Sequence, residues 1–549
     1  MSNTITRRSA LLGGVGLGLG VLGGGPLLAG CSSTVSSTAA ASAAAAAAAR
    51  DVALPAYVRY RGVEPDIPGN NEGIADAFFA YPASPVRATT GRPGDGDRIT
   101  AMTSLNGPIP PGVAANAYWR DLNRRLGSPL AITPTPLQDY SQKFATTMAS
   151  GDLPDVFNML NVVTPQLPQM LEATAVDLTA HLSGDAVRDY PNLANIPTGS
   201  WQATVYSGKI MAVPIPRGVT QSVGLYYRKD LLQKRGITFR PSSFDEFSDL
   251  CGELTDARHN TWALAVAPID YVRQMLGVPN NWSYQNGRLT SAYEHEGQKE
   301  ALAAVRRLIE RGRVNPDAFS GSAQDAKTRF GNGQAMFTVD TQSAWNGYFI
   351  AAAGIKGFDI DMATVPAFDG NGTGRPWIGN MSHSVAAIGK RAERRIEAVL
   401  RVLDYLAAPF GTEEYRFLKY GVEHVDFELD GTDPIKTAKG NTEAVIGSGY
   451  LADGPVAIYQ AGLREVTKTR YAAQTRLFPT GVKDPTSNLF SATQSGKGNF
   501  LTTRITSLQN DILQGRQPVS AWDDGVASWR SGGGSQIREE LQTVLEGRS

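Results

Sequence analysis

Apolar residues follow two different spacings along this chain, and the two alternate from residue 98 onward. Continuous or alternating apolar runs are typical of strands, whereas apolar residues three and four apart are typical of helices. The pattern predicts strands at 98–105, 130–133, 155–157, 209–213, 223–227, within 330–339, at 358–365 and at 384–388. It predicts helices at 118–127, 137–149, 228–236, 243–254, 298–311, 396–406, 501–513 and 536–545. Strands alternating with helices form parallel sheets covered on both faces, so we predict an α/β protein.

Residues 207–237 are the stretch around which this pattern is organised. An apolar run there meets Pro214 and Pro216, which cannot donate to a strand ladder, so we expect the strand to end before them. A new strand and a short helix ended by Gly236 follow. This order predicts a crossing from one α/β lobe to another, and a second break near Asn380 predicts the return.

The length and charge of the chain narrow the possible functions. A chain of 549 residues is too long for one core, so two or more domains are expected. Lys and Arg together number 52, as do Asp and Glu, so no net charge attracts nucleic acid or an anionic membrane surface. The five histidines and two distant cysteines lack metal-ligand spacing, and phosphate-loop and nucleophile-elbow motifs are missing. We therefore expect neither a metal site, nor a cofactor, nor an enzyme.

The first thirty residues have the pattern of an export signal. Arg7 and Arg8 precede a glycine-diluted apolar run, as in twin-arginine signals. The tetrapeptide LAGC, which ends at Cys31, is similar to a lipobox, whose cysteine receives acyl chains that anchor the protein to a membrane. The alternative is a transmembrane anchor, but the glycines and Pro26 make this run a poor one.

Residues 31–97 are predicted to form a lipidated tether followed by an extended strap, since a Ser/Thr/Ala-rich run gives way to repeated Pro and Gly with aromatics between them. With Cys31 lipidated, Cys251 has no partner for a disulfide. Cys251 lies on the apolar face of a helix that begins with the capping box Ser243–Glu246. We expect a buried free thiol there, the alternative being a catalytic one.

Five ordered stretches carry a family resemblance. The sequence GKIMAVPIPR, followed by GLYYRKDLLQKRGI and PSSFDEF, resembles the central signature of extracellular solute-binding proteins of ABC importers, in the sugar-binding family 1. Four other stretches match in the same order: FATTMASGDLPDVF at 144–157, FGNGQAMFTVDTQSAW at 330–345, HSVAAIGKRAERRIEAVLRVLDYL at 383–406 and YGVEHVDFELDG at 420–431. Together they cover most of residues 98–549.

The resemblance implies a periplasmic-binding-protein-like fold, with two α/β lobes joined by a hinge and a ligand cleft between them. Residues 98–219 with 383–470 would form lobe 1, and residues 220–382 with 471–549 would form lobe 2. The implied function is capture of a solute, a sugar or oligosaccharide, by lobe closure and its delivery to ABC permease subunits. The protein would be a monomer, held by lipid at the extracellular face of the cell membrane.

Sugar sites combine aromatic faces for the ring with carboxylates, amides and arginines for its hydroxyls. Ligands of open α/β sheets lie at the carboxyl ends of strands, where we place Asn106, Met159 and Asn161. The resemblance implies that the loop after the GNGQAMF strand reaches the cleft. That loop carries Asp340, Trp345 and Tyr348, and the alternative for Trp345 is a packing role.

Other candidates lie near the predicted crossings. By the resemblance Gln221 faces the hinge, and Trp377 and His383 flank the second crossing. Trp282 and Tyr284 belong to a predicted exposed loop and either reach the ligand or cap a helix. For all of them a core or loop role is the alternative.

A second function class is an extracellular carbohydrate-active enzyme. A glycoside hydrolase needs two carboxylates roughly 5–9.5 Å apart, and the 52 acidic residues leave such a pair open. The five matching stretches and the predicted lipid tether favour the binding protein.

Overall fold

The computed structural model describes residues 52–70, 73–160 and 167–548, so the export signal and Cys31 lie outside the described residues. The strands are β1 (Ile99–Leu105), β2 (Leu130–Pro136), β3 (Val156–Met159), β4 (Val205–Tyr206), β5 (Lys209–Ile210), β6 (Val213–Pro216), β7 (Val223–Tyr227), β8 (Trp262–Leu264), β9 (Trp282–Gln285), β10 (Arg288–Ser291), β11 (Ala335–Thr341), β12 (Asp361–Met362), β13 (Trp377–Ile378), β14 (Ser382–Ile388), β15 (Phe427–Asp430), β16 (Asp433–Lys436) and β17 (Val482–Lys483). The α-helices are α1 (Ala117–Leu126), α2 (Leu137–Ala149), α3 (Leu167–Thr174), α4 (Thr179–Leu182), α5 (Pro191–Ala194), α6 (Thr198–Trp201), α7 (Lys229–Lys234), α8 (Phe244–Leu254), α9 (Ile269–Met275), α10 (Gly297–Glu310), α11 (Ala323–Gly331), α12 (Trp345–Ala351), α13 (Ile396–Leu406), α14 (Glu413–Tyr420), α15 (Gly440–Glu443), α16 (Arg464–Leu477), α17 (Ala492–Leu513), α18 (Ala521–Trp529) and α19 (Ser535–Arg548).

The first lobe is built on a sheet with the strand order β2-β1-β3-β14-β6. β1 is parallel to β2 and β3, whereas β14 is antiparallel to both of its neighbours. Along β14, Val385 and Ala387 belong to one apolar cluster and Ala386 and Ile388 to another. Because successive side chains of a strand point to opposite faces, this alternation shows that both faces of the sheet are buried.

The second lobe is built on a sheet with the order β12-β7-β11-β8. β7 is antiparallel to β11 and β12, and β8 is parallel to β11. Leu225 and Phe337 of this sheet share an apolar cluster with Ile505, Trp522 and Leu541 of the last three helices. The C-terminal tail is therefore part of the core of the second lobe, and the fold consists of two α/β lobes.

The prolines predicted to end a strand lie inside one. β6 contains both Pro214 and Pro216 and pairs with β14 on one side only, because it is the edge strand of the first sheet. An edge strand tolerates proline, since its outer N–H groups have no ladder to join. The strand predicted at 358–365 is also shorter than expected, with only Asp361–Met362 paired.

Two chain crossings between the lobes are bonded to each other. The amides of Arg217 and Gly218 both donate to the carbonyl of Met381, at 2.8 and 3.0 Å. A Cβ at Gly379 would lie 2.3 Å from the carbonyl carbon of Gln221, so the close approach requires glycine. The two crossings thus form one hinge.

The N-terminal segment at 73–97 lies along the first lobe. Tyr81 is 2% exposed, and its hydroxyl donates to the carbonyl of Thr412 at 2.6 Å. Phe78 stacks on Phe410, with ring centroids 4.2 Å apart. These contacts show that its aromatic residues are packing residues. Within the described ranges, no helix combines the length and apolarity that a membrane crossing requires.

Cys251 is a buried free thiol on α8, as predicted. Burial raises the pKa of this thiol above its usual range, and the nearby Arg313 opposes this shift without cancelling it. Little of the Cys251 side chain is therefore in the reactive thiolate form at neutral pH.

Candidate functional site

A cavity of about 260 Å³ lies between the lobes, beside the edge of the first sheet where β3 ends and β14 begins. We call it the cleft cavity. Its walls in the first lobe include Met159, Gln202, Tyr206 and His383, and its walls in the second lobe include Asn488, Leu489, Phe490 and Val544. Its position matches the expectation that ligands of open α/β sheets lie at the carboxyl ends of strands.

Three of the predicted site residues are brought together beside this cavity. Asn106 Nδ2 donates to the hydroxyl of Tyr450 at 3.0 Å, and the Tyr450 ring lies 5.7 Å from the His383 ring. Gln221 Nε2 lies 3.3 Å from His383 Nδ1. Tyr450, which the sequence did not single out, therefore joins Asn106 to the hinge residues Gln221 and His383.

A buried hydrogen-bond network centred on Asn158 holds His383 and Tyr450 in position. Asn158 Nδ2 donates to Ser384 Oγ and to the carbonyl of Tyr450, each at 2.9 Å. Asn158 is fully buried on β3, and Ser384 and Tyr450 come from distant parts of the sequence. A buried amide with satisfied hydrogen bonds is costly to displace, so the network holds the backbone around His383 and Tyr450 in place.

His383 is neutral at physiological pH. Burial, and then the nearby cation of Arg217, lower the pKa of His383 to about 4. If Gln221 donates to Nδ1, the proton of the neutral imidazole is on Nε2. This buried Nε2 has no hydrogen-bond partner in the described part of the chain. In that tautomer, Nε2 is a donor at the wall of the cleft cavity.

This lowered pKa predicts a loss of stability in mild acid. Below about pH 6.5 the unfolded chain binds a proton on this histidine, which the folded protein accepts only near pH 4. The contribution of neutral His383 is therefore complete above pH 6.5 and is lost as the pH falls. Between pH 7 and pH 4.5 we expect the wild type to lose about 2 kcal/mol more stability than His383→Gln, measured by denaturant unfolding. Equal losses in the two proteins would contradict the assignment.

The predicted residues of the second lobe form a packed unit away from the cleft cavity. Trp345 has no exposed surface, and its ring meets the edge of Tyr226 at a centroid distance of 5.4 Å. Tyr348 is 4% exposed and donates its hydroxyl to Asp340, which also pairs with Lys327 at 3.2 Å. The structure therefore does not support a stacking role for Trp345. Helix α12 begins at this residue and carries its ring into the core.

The remaining tryptophans also pack inward. Trp377 donates its indole N–H to the carbonyl of Val278 at 2.9 Å. Trp282 lies in strand β9 and not in an exposed loop, and it is 7% exposed, beside Trp529. Asn161 lies outside the described residues.

Two aromatic residues that line the cleft cavity, Tyr206 and Phe490, were not predicted from the sequence. Tyr206 belongs to the short hairpin of β4 and β5, whose turn contains Ser207 at a φ of 49°. Phe490 lies between β17 and α17. The turn residues Ser207 and Gly208 were the available signal for Tyr206, whereas the run around Phe490 carries no periodic signal.

Two proteins of Bacillus subtilis are similar to this chain over most of its length. A Bacillus subtilis protein described as a polygalacturonan/rhamnogalacturonan-binding protein, YtcQ, is 21% identical over 452 residues, which are 78% of this chain and 87% of that protein. Lipoprotein LipO of the same organism is 20% identical over 475 residues, 82% of this chain and 93% of LipO.

Solved structures share the fold. The N-glycan transport solute binding protein NgtS of Streptococcus pneumoniae superposes with a TM-score of 0.60 at 14% identity, covering 82% of this chain and 99% of NgtS. The family model for bacterial extracellular solute-binding proteins matches residues 127–412, more than half of the chain. The protein therefore belongs to the bacterial extracellular solute-binding protein family.

Proposed function

We propose that this protein captures an extracellular carbohydrate between its lobes and delivers it to the permease subunits of an ABC importer. The observation that carries the proposal is the cleft cavity, where Tyr206 of one lobe and Phe490 of the other supply aromatic surface beside the His383 donor. Aromatic faces bind the apolar side of a sugar ring, and buried donors orient its hydroxyls. The carbohydrate-binding names of YtcQ and NgtS support this ligand class.

The chemistry of the walls favours binding over hydrolysis. Among the described residues that line the cleft cavity there is no aspartate or glutamate. A glycoside hydrolase requires a pair of carboxylates flanking the bond that it cleaves. Thermal shift with a panel of oligosaccharides, followed by chromatography of the same mixtures, tests the proposal: a shift without products supports it, and either turnover or a lack of any shift contradicts it.

We infer that the lobes follow the boundaries 98–219 with 383–470 and 220–382 with 471–549, and that they close on the solute. The two sheets and the walls of the cleft cavity support the divisions near residues 220 and 382, whereas the division at 470 falls within helix α16. A solute that touches both lobes favours the closed state by its differential affinity for it. Small-angle scattering should show a smaller radius of gyration with the solute bound, and an unchanged radius would contradict closure.

Removal of an aromatic wall should weaken binding. Tyr206→Ala and Phe490→Ala are each expected to reduce the affinity for the oligosaccharide found in the panel by about ten- to a hundredfold, on the order of 1.4–2.8 kcal/mol. Titration calorimetry measures the effect. Tyr57→Ala is the matched control, because this ring is 49% exposed and lies outside the cleft cavity. Wild-type affinity in both cavity variants would contradict the assignment.

We further propose that the protein is lipid-anchored through Cys31 at the extracellular face of the cell membrane and is exported by the twin-arginine route. The LAGC tetrapeptide, the paired arginines and the relative named as a lipoprotein support this. Cys31→Ala should release the protein from the membrane fraction or block its maturation, and Arg7→Lys with Arg8→Lys should prevent export. Unchanged fractionation of the cysteine variant would contradict the anchor.

A further inference from the structure

A second cavity, of about 400 Å³, lies in the second lobe outside the cleft cavity. We call it the lobe-2 cavity. Its walls are the hairpin of β9 and β10, the chain just before β9, and the ends of β13 and β17, through Asn280, Trp282, Tyr284, Arg375 and Lys483 among others.

The hairpin supplies an aromatic surface. Tyr284 is 38% exposed on β9, whereas Trp282, two residues earlier on the same face of the strand, is 7% exposed and packs beside Trp529. Asn286 and Gly287, both with positive φ, form the tight turn that joins β9 to β10. Gln542 of α19 donates to the carbonyl of Gly287 at 2.9 Å. The aromatic surface is therefore held on a fixed element and not on a loose loop.

Arg375 and Lys483 both line this cavity, and none of its described lining residues is an aspartate or glutamate. The pairing of Ile378 with Lys483, and the bond from Val482 N–H to the carbonyl of Pro376 at 2.8 Å, bring Lys483 close to Arg375. Both side chains are exposed, and in the described ranges neither has an ion pair or a side-chain hydrogen bond. The neighbouring carboxylate of Asp484 is already bonded to Thr486 and Asn281. The lobe-2 cavity is therefore a cationic pocket beside an exposed tyrosine.

Two elements connect this pocket to the cleft cavity. The segment 482–490 contributes Lys483 to the lobe-2 cavity and Phe490 to the cleft cavity. Helix α19 supports the hairpin through Gln542 and lines the cleft cavity two residues later through Val544. The two cavities are therefore lined by parts of the second lobe that adjoin along the chain.

We propose that the lobe-2 cavity is a subsite for a carboxylate-bearing sugar unit, a uronate, of an oligosaccharide whose other units occupy the cleft cavity. This inference rests on the proposed function and specifies in addition that the substrate carries negative charge. A guanidinium and an ammonium bind a carboxylate by charge-assisted hydrogen bonds, while Tyr284 contacts the face of the ring. A neutral sugar offers hydroxyl acceptors but no negative charge to compensate two cations, so the pocket favours acidic over neutral chains.

The test compares hexagalacturonate with its methyl ester, a pair that differs in the charge of the carboxyl groups. Calorimetry on the chain that starts after Cys31 should show hexagalacturonate binding at least tenfold more tightly than the ester. Arg375→Gln with Lys483→Gln should reduce this preference to about twofold. The control pair Arg258→Gln with Lys356→Gln removes the same charge from exposed positions outside both cavities and should keep the preference.

Two results would overturn the subsite: equal binding of the two probes by the wild type, or a preference that survives in the Arg375/Lys483 variant. Failure of the subsite and failure of the proposed function are distinguishable. If a neutral oligosaccharide binds and hexagalacturonate does not, only the uronate subsite is wrong. If no member of a panel of neutral and acidic oligosaccharides binds, the proposed function is wrong as well.

Discussion

Replacement of Trp345 by alanine is expected to destabilise the protein by about 3–5 kcal/mol, the cost of truncating a buried tryptophan. Trp345 has no exposed surface and packs in an apolar cluster with Tyr226 and Tyr348, so its removal leaves a cavity that these neighbours fill only in part. Denaturant unfolding measures the loss. The affinity of the folded fraction for its solute should stay within about twofold of the wild type, because the ring does not line the cleft cavity.

The control for this variant is Phe500→Ala, whose ring is 63% exposed and whose loss should cost less than about 0.5 kcal/mol. A Trp345→Ala protein with intact stability and lost binding would contradict the core assignment. It would restore the stacking role that the sequence suggested.

Asp453→Asn is expected to cost on the order of 2–3 kcal/mol. Asp453 is buried and binds Arg217 of the first crossing at 2.9 Å and Lys419 at 2.6 Å. Loss of one member of a buried ion pair leaves its partner uncompensated, a cost of roughly 3–5 kcal/mol. The lower figure allows for solvent screening, because the Lys419 side chain is 35% exposed.

The stability that the Asp453 carboxylate contributes is expected to decrease in acid. Burial alone would raise the pKa of Asp453, but Lys419 and Arg217 outweigh it and hold the pKa below its usual value. The contribution of the ionised carboxylate is therefore present above about pH 4, the pKa of the unfolded chain, and is lost as the pH falls through the folded value. Asp453→Asn should flatten the stability curve in that acid range. Asp185→Asn, whose side chain is 78% exposed, is the control and should leave the stability unchanged.

Local periodicity predicted several helices and strands with the bounds that the structure shows. The predicted strand at 223–227 and the helices at 137–149 and 396–406 have the bounds of β7, α2 and α13. Such segments carry their signal in the spacing of their own apolar residues. The prediction that Pro214 and Pro216 end a strand was wrong, because an edge strand such as β6 tolerates proline. Whether a strand lies at an edge depends on the whole sheet and cannot be read from the segment alone.

The candidate site was harder to predict, because it depends on residues that only the fold brings together. Asn106, Gln221 and His383 were found through their positions at strand ends and crossings, but Tyr450 joins them from a 3₁₀ turn without a strand pattern. Trp345 lies just beyond a strand end as well, yet its ring points into the core. Sequence position gives the edge of the sheet at which a residue lies, whereas the direction of its side chain depends on packing.

The buried thiol of Cys251 makes lobe closure accessible to fluorescence. The sequence has two cysteines, so a chain that starts after Cys31 retains only this one, which is fully buried and hard to ionise. Maleimide dyes react with exposed thiolates, so they would leave it unlabelled in the folded protein. One cysteine introduced on the surface of each lobe would then carry a donor and an acceptor without background. Energy transfer between them would follow opening and closing in single molecules during solute exchange.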